Sequence, residues 1–444
     1  MNLPTDAKNL IDLLIGSGYS AYAVGGCVRD YLMGRACGDI DITTSATPQQ
    51  VESVLNSNGI RYVETGIKHG TVTAVVNGES YEITTFRTDG DYADNRHPDN
   101  VSFVTDIESD LARRDFTINA MAYNDGRGLV DVFGGREDIE SRLIRCVGDA
   151  DTRFKEDALR IMRALRFAAV LGFDIEPDTA KAIFNNKDLL QNIAAERIFV
   201  ELKKLLVGSN AEAVLTEYRD VIGVIIPELK PTFDFQQYSK WHLYDIYTHT
   251  VKSVAYAPGV DYIRLALLLH DIGKPYTLKI DEKGDHFKGH PAKSKELAHN
   301  ILKRLKVSND IYNKVITLVE IHDKHIHLNP RSIKFWLSQL GEELIYDFVD
   351  VKIADMSSHN LALAQEEMDE LYQIRDMVGE VIASGEPYTI SQLSIHGNDL
   401  IDLGYKGRGI ADELQRLLDI VIETPSKNTR DILLGIAAED KEKQ

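Results

Sequence analysis

The sequence predicts an α/β head followed by an all-helical remainder, and three observations carry that expectation. Residues 1 to about 140 alternate short β-rich runs with helical stretches. From Asp151 to about Leu229 apolar residues recur at three- and four-residue spacing, the period of an amphipathic helix. The second half continues in apolar helical runs, one of which, Leu267-Leu268-Leu269, ends directly in His270-Asp271. With 444 residues and 43% hydrophobic content the chain can bury several cores, so roughly two to four domains are expected.

In the head, Tyr19–Val24, Ile40–Thr44, Thr71–Val76, Tyr81–Phe86 and Val101–Val104 read as strands. Gly25-Gly26 follows the apolar run Tyr22-Ala23-Val24 and precedes Val28–Gly34, a short helix closed by glycine. Glycines there let backbone approach a ligand, free N–H groups at the helix start favour an anion such as a triphosphate, and Arg29 adds a positive charge one turn in. Taken alone, the glycines read more readily as a tight turn with no ligand. Asp39 and Asp41 are one residue apart. On a strand, side chains alternate with period two, so both carboxylates share a face and can share a hard divalent cation such as Mg²⁺. Thr88 to Asn100 is polar, holds Gly and Pro and has no periodicity, which predicts a long loop beside that sheet.

The segment Glu156 to Phe167 reads as one helix that places Asp157, Arg160 and, one turn on, Arg163 near one face. A carboxylate accepts from an exocyclic amino group and a guanidinium donates to a ring nitrogen, so such a pair can read cytosine or adenine without a nucleic-acid template. An i,i+3 salt bridge on an exposed helix is the plain alternative.

Composition excludes other classes. A formal charge of −19 counts against a protein that coats nucleic acid non-specifically. Between Arg142 and Arg166, however, seven cations outnumber four acids, a local basic surface suited to a selective RNA substrate, with Arg142 and Arg145 also open to a salt-bridged reading. Cys27, Cys37 and Cys146 form neither a paired framework nor a Cys-x-x-Cys, as expected of reduced thiols. No run approaches about 18 apolar residues, and Leu10–Ile15 is too short and acidic for a signal core, so a soluble, cytoplasmic protein without a membrane partner is expected. Disorder is expected only over Asp440–Gln444.

The ordered motifs resemble class II tRNA nucleotidyltransferases, the family of bacterial CCA-adding enzymes and poly(A) polymerases. The resemblance rests on Gly25-Gly26 with Arg29-Asp30, Asp39/Asp41, Gly70-Thr71 after His69, Arg113-Arg114-Asp115-Phe116-Thr117-Ile118-Asn119-Ala120, the hinge-like Asp131-Val132-Phe133-Gly134-Gly135, Glu156-Asp157-Ala158-Leu159-Arg160 and Glu196-Arg197-Ile198. It implies a DNA polymerase β-like mixed sheet in a head over 1–140, a nucleotide-reading helical neck over 141–230, an HD-type body over 231–360 and a tRNA-binding tail over 361–444. The tail's glycines near Gly404 and Gly407 would face RNA phosphate, or simply turn the chain between helices. The implied activity is template-independent addition of CMP and AMP, from CTP and ATP, to a tRNA held by its acceptor stem and elbow. Asp39, Asp41 and Glu82 would be the catalytic carboxylates holding Mg²⁺; Gly26, Arg29 and Arg114 would bind triphosphate, Asp115 the ribose, and Asp157, Arg160, Arg163 and Arg166 the base and its surroundings. The loop at 88–100 argues for complete CCA addition or A-only addition. Bacterial poly(A) polymerase remains the alternative, opposed by His69-Gly70-Thr71 and by the lack of a basic C-terminal extension.

In the second half His249, His270-Asp271 and Asp355 resemble the ligand set of HD-domain phosphohydrolases, with His290 and His322 where larger HD sites carry extra histidines. The mixed imidazole and carboxylate set suits Mn²⁺, Ni²⁺, Co²⁺, Fe²⁺ or Zn²⁺ and implies a second, hydrolytic site. A metal-free scaffold holding tRNA is the other reading. His242, His286, His299, His325, His327 and His359 are expected to be exposed or capping.

Overall fold

The computed structural model describes residues 1, 3–67, 70–89, 101–238, 241–281 and 284–442. His69 and most of the predicted loop, residues 90–100, lie outside them. The chain divides into two compact units, Met1–Pro227 and Glu228–Gln444.

The first unit opens on a mixed sheet. Strands β1 (Ala21–Val24), β2 (Asp41–Thr44), β3 (Arg61–Gly66), β4 (Thr71–Val76) and β5 (Glu79–Thr85) form first; β6 (Arg87–Asp89) and β7 (Val101–Phe103) pair separately as a ribbon flanking residues 90–100; β8 (Ala122–Asn124) and β9 (Gly128–Val130) complete the main sheet. Its order is β3-β4-β5-β2-β1-β8-β9, with only β2 and β5 parallel. β4 and β5 are joined by Asn77-Gly78, both with positive φ (54° and 89°), the dipeptide a tight two-residue hairpin demands. The apolar face packs Ile42, Val72, Ala74 and Ile83 on the helices Thr5–Gly16 and Pro48–Ser57, the latter started by a Thr47/Gln50 capping box with Pro48 in its first turn. All five predicted strands are present within two residues at each end. β3, β6, β8 and β9 were not foreseen, because they are short or carry no clean alternation; β3, for example, has all six residues exposed or half-buried and one irregular register step, and β6 takes the first residues of the predicted loop.

Helices then take over. Leu159–Leu171 packs on Ala195–Leu206 to form the core of the neck. One expectation is corrected here. Glu156 to Phe167 is two helices: Ala150–Glu156 stops, Asp157 is extended (φ −134°, ψ 102°), and Leu159–Leu171 restarts with Asp157 Oδ1 accepting from Leu159 N at 3.0 Å. An Asp offered a free backbone N–H caps more readily than it continues a helix.

The second unit is helical apart from a short hairpin of Lys279–Asp281 with Gly284–His286. Pro330–Ser357 bends at Gly341 (φ 74°) and packs along Leu361–Ala383. Residues 393–437 hold a separate core around Tyr405, Leu417 and Val421. The last helix runs through Glu442, so most of the C-terminal segment expected to be disordered is ordered. Among the described residues no helix is long and apolar enough to cross a membrane.

Candidate active site

In the head, β1 hands over to a turn through Gly25, whose φ of 78° suits glycine and whose Cβ would stand 3.2 Å from Arg114 Nη1. Beyond it a cavity of about 540 Å³ is lined by Gly26, Arg29, Asp41, Arg114, Asp115, Arg163 and Arg166. Asp41 begins β2 and sits opposite Glu82 in the parallel pair, while Asp39 lies in a bend two residues before the strand. Burial raises Asp41 above the usual carboxylate range, and the charges of Glu82 and Asp39 raise it further against Arg114. A buried carboxylate with two others beside it is what a divalent cation relieves. They are spread more widely than the cluster in the second unit: among the described residues they do not form a trio with ligand atoms within 4.8 Å.

The cations of this cavity are organised by ion pairs that no periodicity announces. Arg29 donates to Asn119 Oδ1 at 2.8 Å and to Asp30. Arg163 donates to Asp115 Oδ2 through Nε at 2.7 Å, with Nη2 at 2.6 Å, and Arg29, Arg163 and Arg166 surround the Phe167 ring at 5.2, 5.5 and 4.1 Å. The basic stretch is largely paired inside the protein, Arg145 with Asp138, Arg153 and Arg160 with Glu156, and Arg166 with Glu201, so it is less an RNA-facing surface than a cross-linked wall. Asp157 and Arg160 do not line this cavity: Asp157 accepts from Arg197 at 3.1 Å, and Arg160 donates to Glu156 and to the Arg113 carbonyl. Asn119, Phe167 and Lys204 do line it. The first two sit inside recognised motifs; Lys204 carried no signal.

Burial alone would raise Asp115, but Arg163 and Arg160 bring it from 3.8 down to about 2. A depressed carboxylate contributes stability above its unfolded value and loses it as pH falls through its folded one, so the pair's contribution of about 2 kcal/mol is present at neutral pH and disappears between about pH 4 and about pH 2. Asp115→Asn is therefore expected to lower the unfolding midpoint at pH 7, with the gap to the parent closing in acid. A gap independent of pH in chemical-denaturation curves would remove the ion pair as its cause.

The second unit gathers six predicted residues around one carboxylate. His249 comes from the helix Ile246–Tyr256, His270 and Asp271 from the end of Asp261–Leu269, His290 from the start of His290–Arg304, His322 from the end of Asn309–Ile321 and Asp355 from Pro330–Ser357. His249 Nε2 lies 2.8 Å from Asp355 Oδ1 and 3.6 Å from Asp271 Oδ2; His270 Nε2 lies 3.2 and 3.4 Å from Asp271 Oδ2 and Asp355 Oδ1. These four atoms are buried yet none is in hydrogen-bond geometry. They converge on a point, as ligands do, and Asp271 Oδ2 also takes the Lys274 ammonium at 2.6 Å. The other oxygen of Asp271 faces His290 Nε2 at 3.3 Å and His322 Nε2 at 3.8 Å. Nδ1 of His270, His290 and His322 meets the carbonyls of Leu267, Phe287 and Val319 at 2.6, 2.9 and 2.8 Å, which anchors each ring with its Nε2 turned inward. His290 Nε2 and His322 Nε2 lie 3.0 Å apart, close enough for both to face one cation. Asp271, with one oxygen facing each group of histidines, would offer a ligand to both if two ions were bound.

Burial works against the charges of Asp271 and Asp355, but His270, Lys274 and His249 hold both well below the usual carboxylate range, and the two carboxylates push His270 up to about 10. The centre calls for positive charge. Two of the expected bystanders are corrected: His242 and His359 are not free surface histidines but stand against His249, with ligand atoms of the three within 4.8 Å. Neither stands in a pattern that sequence periodicity reports. His286, by contrast, is exposed beside Asp281, and His299 contacts Tyr312. A Cβ on Gly273 would lie 2.6 Å from His290 O and Ser294 N. Gly273→Ala is therefore expected to force the His290 helix away from Asp271, costing about 1–3 kcal/mol and weakening metal binding in that lobe; equal stability and equal metal affinity would show that the helix yields without consequence.

Known protein families match successive stretches of the chain. The Poly A polymerase head domain matches residues 21–145, a probable RNA- and SrmB-binding site of polymerase A matches 172–231, and the HD domain matches 248–359. Head and HD domains are types that bind divalent metal ions. The CCA-adding enzyme of Geobacillus thermodenitrificans is 52% identical over 209 residues, 47% of this chain and 51% of that one, so the alignment spans about half the length of that relative. The CCA-adding enzyme of Oceanobacillus iheyensis is 33% identical over 431 residues, 96% of this chain and 95% of that one. The Bacillus stearothermophilus CCA-adding enzyme in complex with CTP superposes with a TM-score of 0.77 at 29% identity, covering 100% of this chain and 99% of that one. The Thermotoga maritima enzyme complexed with tRNA shares the fold at a TM-score of 0.58 and 20% identity, covering 98% and 96%. With likeness at that identity running along almost the whole of both chains, this protein belongs to the CCA-adding enzyme family.

Proposed function

We propose that this chain adds CMP and AMP, from CTP and ATP, to the 3′ end of tRNA without a nucleic-acid template. The observation that carries the reading is the cavity in which Asp41, next to Glu82 and Asp39, faces Arg29, Arg114, Arg163 and Arg166: carboxylates for a cation on one wall, guanidinium groups for a triphosphate on the other. Asp39 and Asp41, with Glu82 as a third carboxylate, would hold Mg²⁺, which activates the RNA 3′-hydroxyl and stabilises departing pyrophosphate. Gly26, Arg29 and Arg114 cradle the triphosphate. Asp115, oriented by Arg163, takes the ribose; Arg163 and Arg166 flank the base. Asp157 and Arg160 act on base choice after a rearrangement of their present pairs with Arg197 and Glu156. The head over 1–140 and neck over 141–230 form this site, and the tail over 361–444 docks the acceptor stem and elbow, in the cytoplasm.

The test offers purified protein tRNA transcripts ending before the first C, after CC, or after CCA, with each nucleotide alone. Incorporation of C and then A, stopping at CCA, supports the reading. A-only addition to the CC transcript makes it an A-adding enzyme, and a long A tract makes it a poly(A) polymerase.

A second activity is favoured by the convergence of His249 Nε2 and His270 Nε2, both buried without a hydrogen bond, on the Asp271 and Asp355 carboxylates. We propose that His249, His270, Asp271 and Asp355 hold one transition-metal ion, and Asp271, His290 and His322 a second, for hydrolysis of phosphoesters at RNA ends; Mn²⁺, Ni²⁺, Co²⁺, Fe²⁺ and Zn²⁺ suit this donor set. Such metals supply an activated water and a Lewis acid.

A further inference from the structure

A cavity of about 350 Å³ opens over the histidine–carboxylate centre, and its lining is not simply the ligand set. His249 and His270 lie beneath it, each 1% exposed; His242, His359 and Lys274 form part of its wall. The His359 ring stacks on His249 (centroids 5.1 Å, 24°), and His242 meets both rings edge-on at 5.3 and 4.6 Å. His242 Nδ1 is buried and without a hydrogen-bond partner. Lys274 Nζ reaches Asp271 Oδ2 at 2.6 Å and is anchored by Gln237 Oε1 at 2.9 Å.

Building on the hydrolase reading, we infer that His242, His359 and Lys274 are the phosphate-binding wall of this site, gripping the ester oxygens that point away from the metal centre, and that the site takes the phosphate of a single nucleotide. An imidazole in any protonation state has at least one N–H, so the three side chains supply donors from three directions to a group whose remaining oxygens face cations. A third metal between His242, His249 and His359 fits less well. His249 has one inward nitrogen, already 2.8 Å from Asp355 Oδ1, because its Nδ1 is engaged with Ser358 Oγ at 2.6 Å. Two imidazoles remain, too few for a protein-built cation site. The volume is at the small end of ligand pockets, the size of one nucleotide and not of a helical RNA segment. Phe287 in the same wall, with Lys274 Nζ 5.6 Å from its ring, offers a face for the base.

The experiment uses the full chain loaded with Mn²⁺, and compares the parent with His242→Gln, His359→Gln and the double variant. Three quantities are read: manganese per chain, affinity for inorganic phosphate by calorimetry, and hydrolysis of p-nitrophenyl phosphate. Because His242 Nδ1 makes no internal hydrogen bond, its replacement is expected to fold, and His242→Asn with a thermal melt provides the check. Each single variant should keep the parental manganese content, bind phosphate about 10- to 100-fold more weakly, raise KM correspondingly and leave CMP incorporation unchanged. Loss of a manganese equivalent would make these histidines ligands and overturn the inference. So would parental phosphate affinity and parental kinetics in the double variant, which leaves the hydrolase reading standing. A parent that binds manganese but neither binds phosphate nor turns over substrate removes both. Free 3′-CMP and a 3′-phosphorylated tRNA transcript, run as competitors, separate a mononucleotide substrate from an RNA end.

Discussion

Asp41→Ala is expected to reduce nucleotide incorporation by three or more orders of magnitude while tRNA affinity stays within about twofold. A metal acting on developing charge is worth several kcal/mol in the transition state, and each 1.36 kcal/mol is a factor of ten in rate. tRNA docking relies on other surfaces. The variant also separates chemistry from folding. Asp41 is raised by burial and by the nearby charges of Glu82 and Asp39. A carboxylate whose folded pKa is raised costs stability above its unfolded value, so its removal should leave the protein at least as stable at pH 7. Single-turnover incorporation, gel-shift affinity and a thermal melt on one preparation check the three parts. Retained incorporation would sink the assignment of the head carboxylates; a large loss of stability would show that Asp41 is structural. Hydrolysis at the HD centre should persist in this variant.

The converse holds for Asp271→Ala. Its carboxylate has one oxygen 3.2 Å from His270 Nε2 and the other 3.3 Å from His290 Nε2, so its removal takes a ligand from both lobes at once. Cleavage of bis-p-nitrophenyl phosphate with Mn²⁺ or Ni²⁺ is expected to fall at least about a thousandfold, with bound metal falling in parallel. CMP and AMP incorporation should remain within about twofold. Lys274, buried against Asp271, would be left as an uncompensated cation, which makes this variant less stable than the parent. Asp355→Asn, which keeps the side-chain shape at a less buried position, gives an independent route to the same loss of hydrolysis. If the parent binds no transition metal and cleaves neither linear nor cyclic phosphoesters, the HD body is a scaffold.

Much of the candidate chemistry was readable because it is written in residues that are neighbours in the chain. Period-two alternation put Asp39 and Asp41 together, although Asp39 in fact lies just before the strand. The turn at Gly25 and the hairpin at Asn77-Gly78 followed from glycine's tolerance of positive φ. His270-Asp271 at the end of an apolar helix announced a buried polar pair that must be satisfied by something. Each is a statement about backbone sterics or burial within a few residues, and such statements survive folding.

The partners were decided by tertiary structure. Asp157 looked like the helical neighbour of Arg160, yet the backbone N–H of Leu159 and the guanidinium of Arg197, 40 residues on, claim it; Asp115 is held by Arg163, 48 residues away. No periodicity distinguishes one arginine from another along a basic run, since periodicity reports which face of a helix is buried, not what the facing element carries. His242 and His359 are the clearest instance. Singly they are ordinary histidines, and only the fold stands both against His249 and makes them part of a cavity wall. Sequence by itself determined which residue types were present and which local backbone they could adopt. The fold chose which charges would meet, because the energy of an ion pair or a metal site depends on distances of a few ångströms between segments that the chain brings together only once their apolar faces are buried.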